Sequence, residues 1–318
     1  MVVDPFDASV VWAGTGRAGL YKSTDCGSTW EKTNKGTNGA QLDAGGVGSL
    51  AVDHVNKGVI YATSFQGANG LWKSVNGGVD WEQTMPPGGP VSKAVPGQVV
   101  NSIAMDFDNP YHLVASFHEA CVLPFEPVCE AETIDGGITW TVTSVKGGGW
   151  TSWVPYAGAF ILGQTKWLFG TYETGLWLTT DSGHSWTDVT PTGGNGSLAG
   201  KTISLPFLRN PSDQRYYLPW AGGVMRSTDS TGERWELIPD SGGRSVGFVM
   251  GDQYMYSADQ WSSTYHVAAL NEPATWSPLA PPADLPSDQG APYLAYDPVH
   301  HVLYSSNFAG GLWRLKTQ

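Results

Sequence analysis

The chain of 318 residues has few charged side chains, and few of those are basic. Asp, Glu, Lys and Arg make up 14% of it, against about 25% in an average globular protein. There are 17 Lys and Arg against 29 Asp and Glu, which gives a net charge of −12. Phosphate binding needs clustered Lys and Arg, so we do not expect nucleic acid as a partner, and anionic membrane surfaces are disfavoured for the same reason.

Long apolar runs are missing as well. No stretch approaches the roughly 20 apolar residues of a membrane span, which predicts a soluble chain. Met1 is followed at once by strand-like sequence instead of a charged and then apolar leader. We expect that any leader was removed, which agrees with a truncated first repeat. The composition is instead rich in Gly, with 41, and in Trp, with 15, as is typical of a turn-rich, aromatic β-protein.

Cysteine is scarce, with three in the chain. Cys121 and Cys129 lie eight residues apart in one loop, where a disulfide would brace an otherwise unsupported insertion. This spacing favours a disulfide and hence an extracellular or periplasmic protein. The alternative is two unpaired thiols in a cytosolic loop. Cys26 lies in a turn, and we expect it to be unpaired and not a nucleophile.

A short pattern recurs five times at intervals of 46 to 59 residues. It consists of Ser or Thr, then Asp or Asn, then Gly, then Trp. The carboxylate or amide can accept backbone N–H groups while Gly takes a positive φ, so the pattern predicts a tight hairpin covered by the Trp. The Asp and Asn are therefore expected to be turn residues and not catalytic acids. The five copies are Ser23–Trp30, Ser74–Trp81, Thr133–Trp140, Thr179–Trp186 and Ser227–Trp235, and a sixth place, Asn271–Trp276, keeps only the Trp.

Each copy lies between short β-rich runs, and a Gly-Leu-aromatic or similar element precedes most of them. A repeat of this kind predicts an array of β-meanders. Counting the candidate first strands gives an all-β, seven-bladed β-propeller of four-stranded antiparallel blades, as one domain over 1–318. The expected blades are 1–36, 45–86, 99–144, 150–191, 200–240, 244–280 and 290–318. The seventh lacks an outer strand in the sequence, so we expect a three-stranded closing blade or a missing N-terminal strand.

The pattern resembles the Asp-box (BNR) repeat of sialidases, sortilin-type receptors, xyloglucanases and photosystem assembly factors. The five copies match it, and the repeat spacing extends over essentially the whole chain. The resemblance implies a propeller but no single function, because these families bind and catalyse different things. Sialidases need an arginine triad and an Arg-Ile-Pro motif, which is absent here. Xyloglucanases use two facing propellers with an acid from each, and this sequence predicts one propeller.

A propeller places the Asp-box turns on one face and the remaining loops on the other. The loops on that second face look unlike one another and carry aromatic and polar side chains. Aromatic rings stack on the C–H surfaces of sugars, so this mixture suits a glycan or a similar polyhydroxylated or aromatic ligand. The alternative is that these rings only cap the ends of the blades. The candidate ligand-binding residues are Phe65, Trp150, Trp153, Tyr172, Trp220, Trp261, Arg17, Arg244 and Asn307.

Hydrolysis of a glycosidic bond needs two carboxylates about 5 to 9 Å apart. Glu119 and Glu173 occupy equivalent loops of neighbouring blades, and Asp259 follows two blades later. Glu173 is the first candidate acid, because its short loop holds it near the axis. The alternative is that these are merely solvated surface acids.

His118 beside Glu119 suggests a lyase, in which His or Tyr removes the proton α to a uronate carboxylate. Arg17, Lys201 or Arg244 would neutralise that group. The seven His match no metal-ligand spacing, so no metal and no cofactor are predicted. The sequence favours a secreted propeller that binds a glycan and cleaves it by hydrolysis or by elimination. The alternative is a non-catalytic binding or assembly module.

Overall fold

The computed structural model describes residues 1–145, 158–171, 175–191, 209–220, 222–243, 247–259, 261–288, 290–307 and 310–317. These residues form seven antiparallel sheets and almost no helix. In every sheet the strands follow one another in chain order, so each sheet is a β-meander. The predicted all-β, seven-bladed propeller class is confirmed, and each sheet is called a blade below.

The first four blades belong to one compact unit, within Val2–Asp188. Blade 1 contains β1 (Val2–Asp4), β2 (Asp7–Gly14) and β3 (Leu20–Ser23), and blade 2 contains β4 (Gly46–Val52), β5 (Ile60–Phe65), β6 (Gly70–Ser74) and β7 (Glu82–Gln83). Blade 3 contains β8 (Val100–Met105), β9 (Leu113–Phe117), β10 (Cys129–Thr133) and β11 (Thr141–Ser144), and blade 4 contains β12 (Gly158–Gly163), β13 (Lys166–Thr171), β14 (Gly175–Thr179) and β15 (Thr187–Asp188).

The other three blades belong to a second compact unit, within Leu205–Gln318. Blade 5 contains β16 (Tyr217–Trp220), β17 (Gly223–Ser227) and β18 (Trp235–Leu237). Blade 6 contains β19 (Gly247–Met250), β20 (Tyr254–Ala258), β21 (Tyr265–Ala269) and β22 (Ser277–Leu279), and blade 7 contains β23 (Tyr293–Asp297), β24 (Val302–Asn307) and β25 (Gly311–Lys316).

Three blades have fewer than four strands among the described residues. Blades 1, 5 and 7 have three strands each among the described residues, while the other four have four. In blade 1 the outer position is reduced to an isolated bridge between Lys22 and Glu31. In blade 5, residues 200–208 of the predicted blade 200–240 lie outside the described residues, and a bridge joins Arg209 to Tyr216. Blade 7 is three-stranded, as one of the two alternatives predicted.

Two short helices interrupt the connections between blades. α1 (Gly39–Asp43) lies between blades 1 and 2, and α2 (Pro90–Ala94) lies between blades 2 and 3. Pro90 stands at the start of α2, where its missing N–H is not needed. Each helix contributes apolar side chains to the core, with Leu42 and Ala94 fully buried. Among the described residues, no helix is long and apolar enough to cross a membrane.

The core is divided into layers between neighbouring blades of the same unit. Trp12 of blade 1 packs with Leu50 and Ile60 of blade 2, and Tyr61 of blade 2 packs with Ile103 of blade 3. The Leu of the Gly-Leu-aromatic element points into these layers, since Leu20, Leu71 and Leu176 are completely buried. At about 25 cal/mol per Å² of apolar area, this burial is the main stabilising contribution.

The recurrent hairpins have the hydrogen bonds that their chemistry predicts. In blade 3, Thr133 Oγ1 accepts the N–H of Gly137 at 3.0 Å, and Asp135 Oδ1 accepts the N–H of Thr139 at 2.9 Å. The turns of blades 1, 2 and 4 repeat both bonds. In blade 5 the inserted residue moves the bond, and Asp229 binds the N–H of Thr231. These carboxylates are therefore committed to turn closure.

The tryptophan of the hairpin also recurs with its own bond. Trp81, Trp186 and Trp235 each donate the indole N–H to the carbonyl three residues before, at 3.0 to 3.1 Å. Trp276 does the same to Pro273 at 3.1 Å, although its copy has lost the Asp and Gly. The degenerate sixth copy thus keeps the indole position. Trp140 instead donates to Thr84 of the preceding blade connection.

Candidate functional site

Each blade has two edges with different chemistry. In a meander, the turns between first and second strands and between third and fourth strands lie at one edge, here called the turn edge. The loops between second and third strands and the connections from the preceding blade lie at the other, here called the loop edge. The Asp hairpins occupy the turn edge, so candidate ligand residues are found at the loop edge, as the sequence predicts for this topology.

Glu119 lies at the loop edge of blade 3, two residues after β9. Its Oε1 accepts the backbone N–H of Gly97 at 2.9 Å. Gly97 belongs to the connection that enters blade 3, and a Cβ there would lie 2.3 Å from Glu119 Oε2. The carboxylate therefore packs directly against the glycine backbone. Oε2 is buried and accepts no hydrogen bond from any of the described residues.

Asn69 extends this cluster from the neighbouring blade 2. Its amide Nδ2 donates to the carbonyl of Gly97 at 2.9 Å, so Gly97 is bound on one side by Asn69 and on the other by Glu119. Asn69 Oδ1 is also buried without a partner among the residues the structure describes. Two acceptor oxygens with unmet hydrogen-bonding capacity thus flank the Gly97 residue. Such groups call for a donor such as water or a ligand hydroxyl.

The predicted disulfide is present and supports the same loop. Cys121 and Cys129 are bonded, with their Cα atoms 6.0 Å apart. The loop they close is fixed further by the N–H of Val122, which donates to Ala94 of α2 at 2.8 Å. Phe125 packs against the core between blades 2 and 3. Glu119 therefore precedes a loop that is anchored on three sides, while Leu123 at its tip is 90% exposed.

His118 stands beside Glu119 in the chain but is half-buried. Its backbone N–H donates to the carbonyl of Val99 at 2.8 Å, which continues the strand pairing of β8 and β9 by one more residue. The backbone of His118 is therefore held by sheet geometry, and the loop proper begins at Glu119.

Asp259 occupies the corresponding place in blade 6, one residue after β20. It also accepts the N–H of a glycine in the preceding connection, Gly243. Its second oxygen accepts from Ser262 Oγ at 3.2 Å, so both oxygens have partners. The shared geometry shows that an acid after the second strand ties the incoming connection to its blade. Glu119 differs from Asp259 because one of its carboxylate oxygens, Oε2, has no hydrogen-bond partner among the described residues.

Three of the predicted ligand-binding residues are partly or fully exposed. Phe65 is half-buried, and its ring lies close to Gly46 and Gly48 of β4, where a Cβ would meet it. Arg17 is exposed in the loop between β2 and β3. Trp261 is 52% exposed in blade 6. Arg17 and Phe65 belong to the first unit and Trp261 to the second.

Two predicted ligand-binding residues are corrected by the structure. Trp220 ends β16 and is completely buried, so its ring offers no face to a sugar. Asn307 is 6% exposed, and its amide is used inside blades 6 and 7. Its Nδ2 donates to Tyr265 at 2.7 Å and its Oδ1 accepts from Ser305 at 2.8 Å. Both side chains stabilise the protein interior. Trp150, Trp153, Tyr172, Glu173 and Arg244 lie outside the described residues.

A buried ionisable cluster, which the sequence reading missed, joins blades 3 and 4. His112 is completely buried, with Nδ1 2.9 Å from Asp106 and Nε2 3.1 Å from Glu132. Burial alone would lower the pKa of His112, but the adjacent carboxylates of Asp106 and Glu132 outweigh it and raise the pKa to about 9. His112 is thus an imidazolium held between two acids.

Glu130 lies in the same cluster and is 1% exposed. The indole N–H of Trp167 in blade 4 reaches both of its oxygens at 3.0 Å. Burial raises the pKa of Glu130 to about 8, against the lowering effect of that N–H. Part of this cluster has a sequence signal, which is an Asp at the end of the first strand of a blade. Its carboxylate accepts a backbone N–H of the following turn, as is seen for Asp53, Asp106 and Asp297.

Known proteins resemble this chain in fold, and in sequence over part of its length. No family model matches the chain. A probable oligoxyloglucan-reducing end-specific xyloglucanase of Neosartorya fischeri is 36% identical over 93 residues, which are 29% of this chain and 11% of that protein. The chain therefore matches only a small part of that relative's length.

Solved structures match the fold over nearly all of the chain. A xyloglucanase of glycoside hydrolase family GH74 from Xanthomonas campestris has a TM-score of 0.67 at 17% identity, covering 99% of this chain and 51% of its own. YCF48 bound to a D1 peptide has a TM-score of 0.58 at 13% identity, covering 96% and 82%. At these identities the likeness concerns the fold. This chain is therefore similar in fold both to a xyloglucanase and to a peptide-binding propeller.

Proposed function

We propose that this protein is a secreted Asp-box propeller that binds a glycan at its loop edges and hydrolyses it, with a β-glucan backbone of the xyloglucan type as the substrate class. The observation that carries the proposal is the environment of Glu119, a carboxylate fixed by one oxygen and unsatisfied at the other. The local identity of 36% to a xyloglucanase supports the substrate class. The disulfide supports secretion, because such bonds persist in oxidising compartments.

Glu119 is the proposed acid of the reaction. A carboxylate that is held in one orientation by Gly97 loses little rotamer freedom when it meets a ligand. Its buried Oε2 would exchange a proton with the glycosidic oxygen, or accept one from an attacking water. Asn69 Oδ1, on the other side of Gly97, would accept a hydrogen bond from a hydroxyl of the same sugar.

A second carboxylate is required for hydrolysis, and Glu173 is our candidate from the sequence. Glu173 follows β13 by two residues, as Glu119 follows β9 by two. This equivalence of position in neighbouring blades supports the pairing. Asp259 is less suited to the role, because both of its oxygens already have partners in blade 6.

A non-catalytic binding or assembly module is the alternative function. The likeness in fold to YCF48 bound to a D1 peptide favours it. Elimination by a lyase is a further alternative, which rests on His118 beside Glu119 and on the exposed Arg17.

Product analysis on a panel of polysaccharides separates these functions. The purified protein is incubated with xyloglucan, mixed-linkage glucan, cellulose and polygalacturonate, and reducing ends are measured together with the ultraviolet absorbance of unsaturated uronates. We expect reducing ends from xyloglucan without that absorbance. Unsaturated products from polygalacturonate would establish the lyase. If no polysaccharide gives products, whether or not it binds, hydrolysis would be rejected in favour of the non-catalytic module.

A further inference from the structure

The turn edges of blades 2 and 3 carry exposed aliphatic side chains at matching positions. Val75 and Val79 of blade 2 are 67% and 41% exposed, and Ile134 and Ile138 of blade 3 are 67% and 80% exposed. The hairpin closes through the backbone and the hydroxyl or carboxyl groups, so these two positions need no apolar side chain. In blades 1 and 4 the same positions hold polar residues, namely Thr24, Ser28, Thr180 and His184.

Three further apolar side chains extend this surface. Val55 and Phe107 project from the turns that follow β4 and β8, and Tyr111 lies just before β9. They are 60%, 54% and 49% exposed. We call the seven residues Val55, Val75, Val79, Phe107, Tyr111, Ile134 and Ile138 the turn-edge patch.

Contacts between the two blades brace the turns that carry the turn-edge patch. His54 of blade 2 stacks on Phe107 of blade 3 with ring centroids 4.7 Å apart. Lys73 Nζ and Tyr61 OH, both of blade 2, donate to the carbonyl of Gly136 in the blade 3 turn at 2.9 and 3.0 Å. The N–H of Gly136 in turn donates to Tyr111. The exposed side chains therefore project from a braced surface.

The size and charge of the turn-edge patch suit a protein partner. Seven side chains at these exposures present on the order of 600 Å² of surface, close to the roughly 800 Å² that each partner contributes to a standard interface. Single exposed apolar residues need no explanation, whereas seven of them on the turns of two neighbouring blades indicate a contact site. Blade 2 carries Lys57 in the turn after β4 and Lys73 near the end of β6, and the two hairpins carry Asp80 and Asp135, so both signs are present although the chain carries −12 overall.

We propose that two copies of this chain associate through the turn-edge patch. The blade 2 and blade 3 turns have the same backbone and the same pair of aliphatic positions. A two-fold axis between them therefore sets Val75 and Val79 of one copy against Ile134 and Ile138 of the other. The presence of Lys as well as Asp near these turns limits the repulsion that the net charge of −12 would otherwise cause between two copies. A basic partner selected by the net charge of −12 would gain little from an apolar surface.

Sedimentation of the purified chain over a range of concentrations tests the proposal. We expect a reversible dimer with a Kd of about 1 to 100 μM, as befits an interface at the lower end of the standard size. The combined variant Val75→Thr, Val79→Ser, Ile134→Thr and Ile138→Ser introduces polar residues like those found at these positions in other blades. It should fold with an unchanged near-ultraviolet circular dichroism spectrum, and its dimer should be at least about tenfold weaker.

The control is Val299→Thr, which removes an apolar side chain of equal exposure, 66%, from the turn edge of blade 7. This variant should dimerise like the parent. A parent chain that stays monomeric throughout would overturn the proposal and leave the patch to a different partner. A dimer that the fourfold variant forms as tightly as the parent would overturn it too, because the contact would then lie elsewhere.

Discussion

The backbone N–H of Gly97 binds the carboxylate of Glu119 at 2.9 Å, across 22 residues of chain. This bond joins the connection that enters blade 3 to the loop that leaves β9. It orients one carboxylate oxygen and leaves the other without a donor among the described residues. The candidate acid is therefore positioned by a peptide group and not by another ionisable side chain.

Gly97→Ala tests whether this contact positions the acid. The added Cβ would lie 2.3 Å from Glu119 Oε2, so the carboxylate must move. Because the clash is with the far end of a flexible side chain, we expect a loss of about 1 kcal/mol or less in the free energy of unfolding, together with a fall in kcat. Gly16→Ala, where no atom lies within 4 Å of the added Cβ, is the control. Equal activity of the two variants would show that the position of Glu119 does not matter.

The disulfide should stabilise the chain and the site together. Closing a loop of this length is expected to contribute about 2.5 kcal/mol, so the Cys121→Ser, Cys129→Ser double variant should unfold at lower denaturant concentration by that amount. Reductant should destabilise the parent chain to the same level and leave the double variant unchanged. A reductant effect on the double variant would point to chemistry outside this loop.

Asp135→Ala tests the assignment of the hairpin acids to structure. Burial of Asp135 would raise its pKa, but hydrogen bonds from Thr139, Thr133 and Ile138 lower it to about 2. This stabilisation is present above about pH 4 and is lost as pH falls through 2. At neutral pH we expect a loss of about 1–2 kcal/mol from the broken bonds, measured by urea unfolding, with catalysis unchanged. A large loss of activity in a folded variant would contradict the assignment.

The buried cluster predicts a decline in stability with rising pH. The pKa of Glu130 rises from 4.5 to about 8 on folding, so unfolding is increasingly favoured from about pH 4.5 to 8. The pKa of His112 rises from 6.5 to about 9, so its contribution is complete below 6.5 and is lost through 9. Glu130→Gln should make the fall of Tm between pH 5 and 8 shallower in calorimetry. A curve as steep as that of the parent would reject the role of Glu130.

Trp167→Phe isolates the hydrogen bond in this cluster. The indole N–H of Trp167 contacts both oxygens of Glu130 at 3.0 Å. Its loss leaves a buried carboxyl group without that donor and should cost about 1–3 kcal/mol. Trp186→Phe, which loses a similar bond to the turn carbonyl of Gly183, serves as the comparison. A smaller effect at Trp167 than at Trp186 would contradict the account.

The repeat and its turns could be predicted from sequence because their bonds are local. Asp135 and Thr139 lie four residues apart, and Cys121 and Cys129 lie eight apart. Their spacing in the sequence is therefore sufficient to predict that they meet. Trp220 and Asn307 were misjudged because burial at the end of a strand depends on the twist of the blade and on its neighbour. Glu130 and Trp167 lie 37 residues apart in the chain, in the neighbouring blades 3 and 4. No local sequence pattern predicts their contact.

The most direct test of the account is the rate of reducing-end release from xyloglucan by Glu119→Gln beside the parent chain. Glu126→Gln is the matched control, since Glu126 is an exposed acid in the disulfide-closed loop that follows Glu119. We predict a rate lowered by about 100-fold or more for Glu119→Gln, as for loss of a general acid or base, with Tm unchanged and Glu126→Gln at the parent rate. A folded Glu119→Gln variant that retains the parent rate would contradict the account.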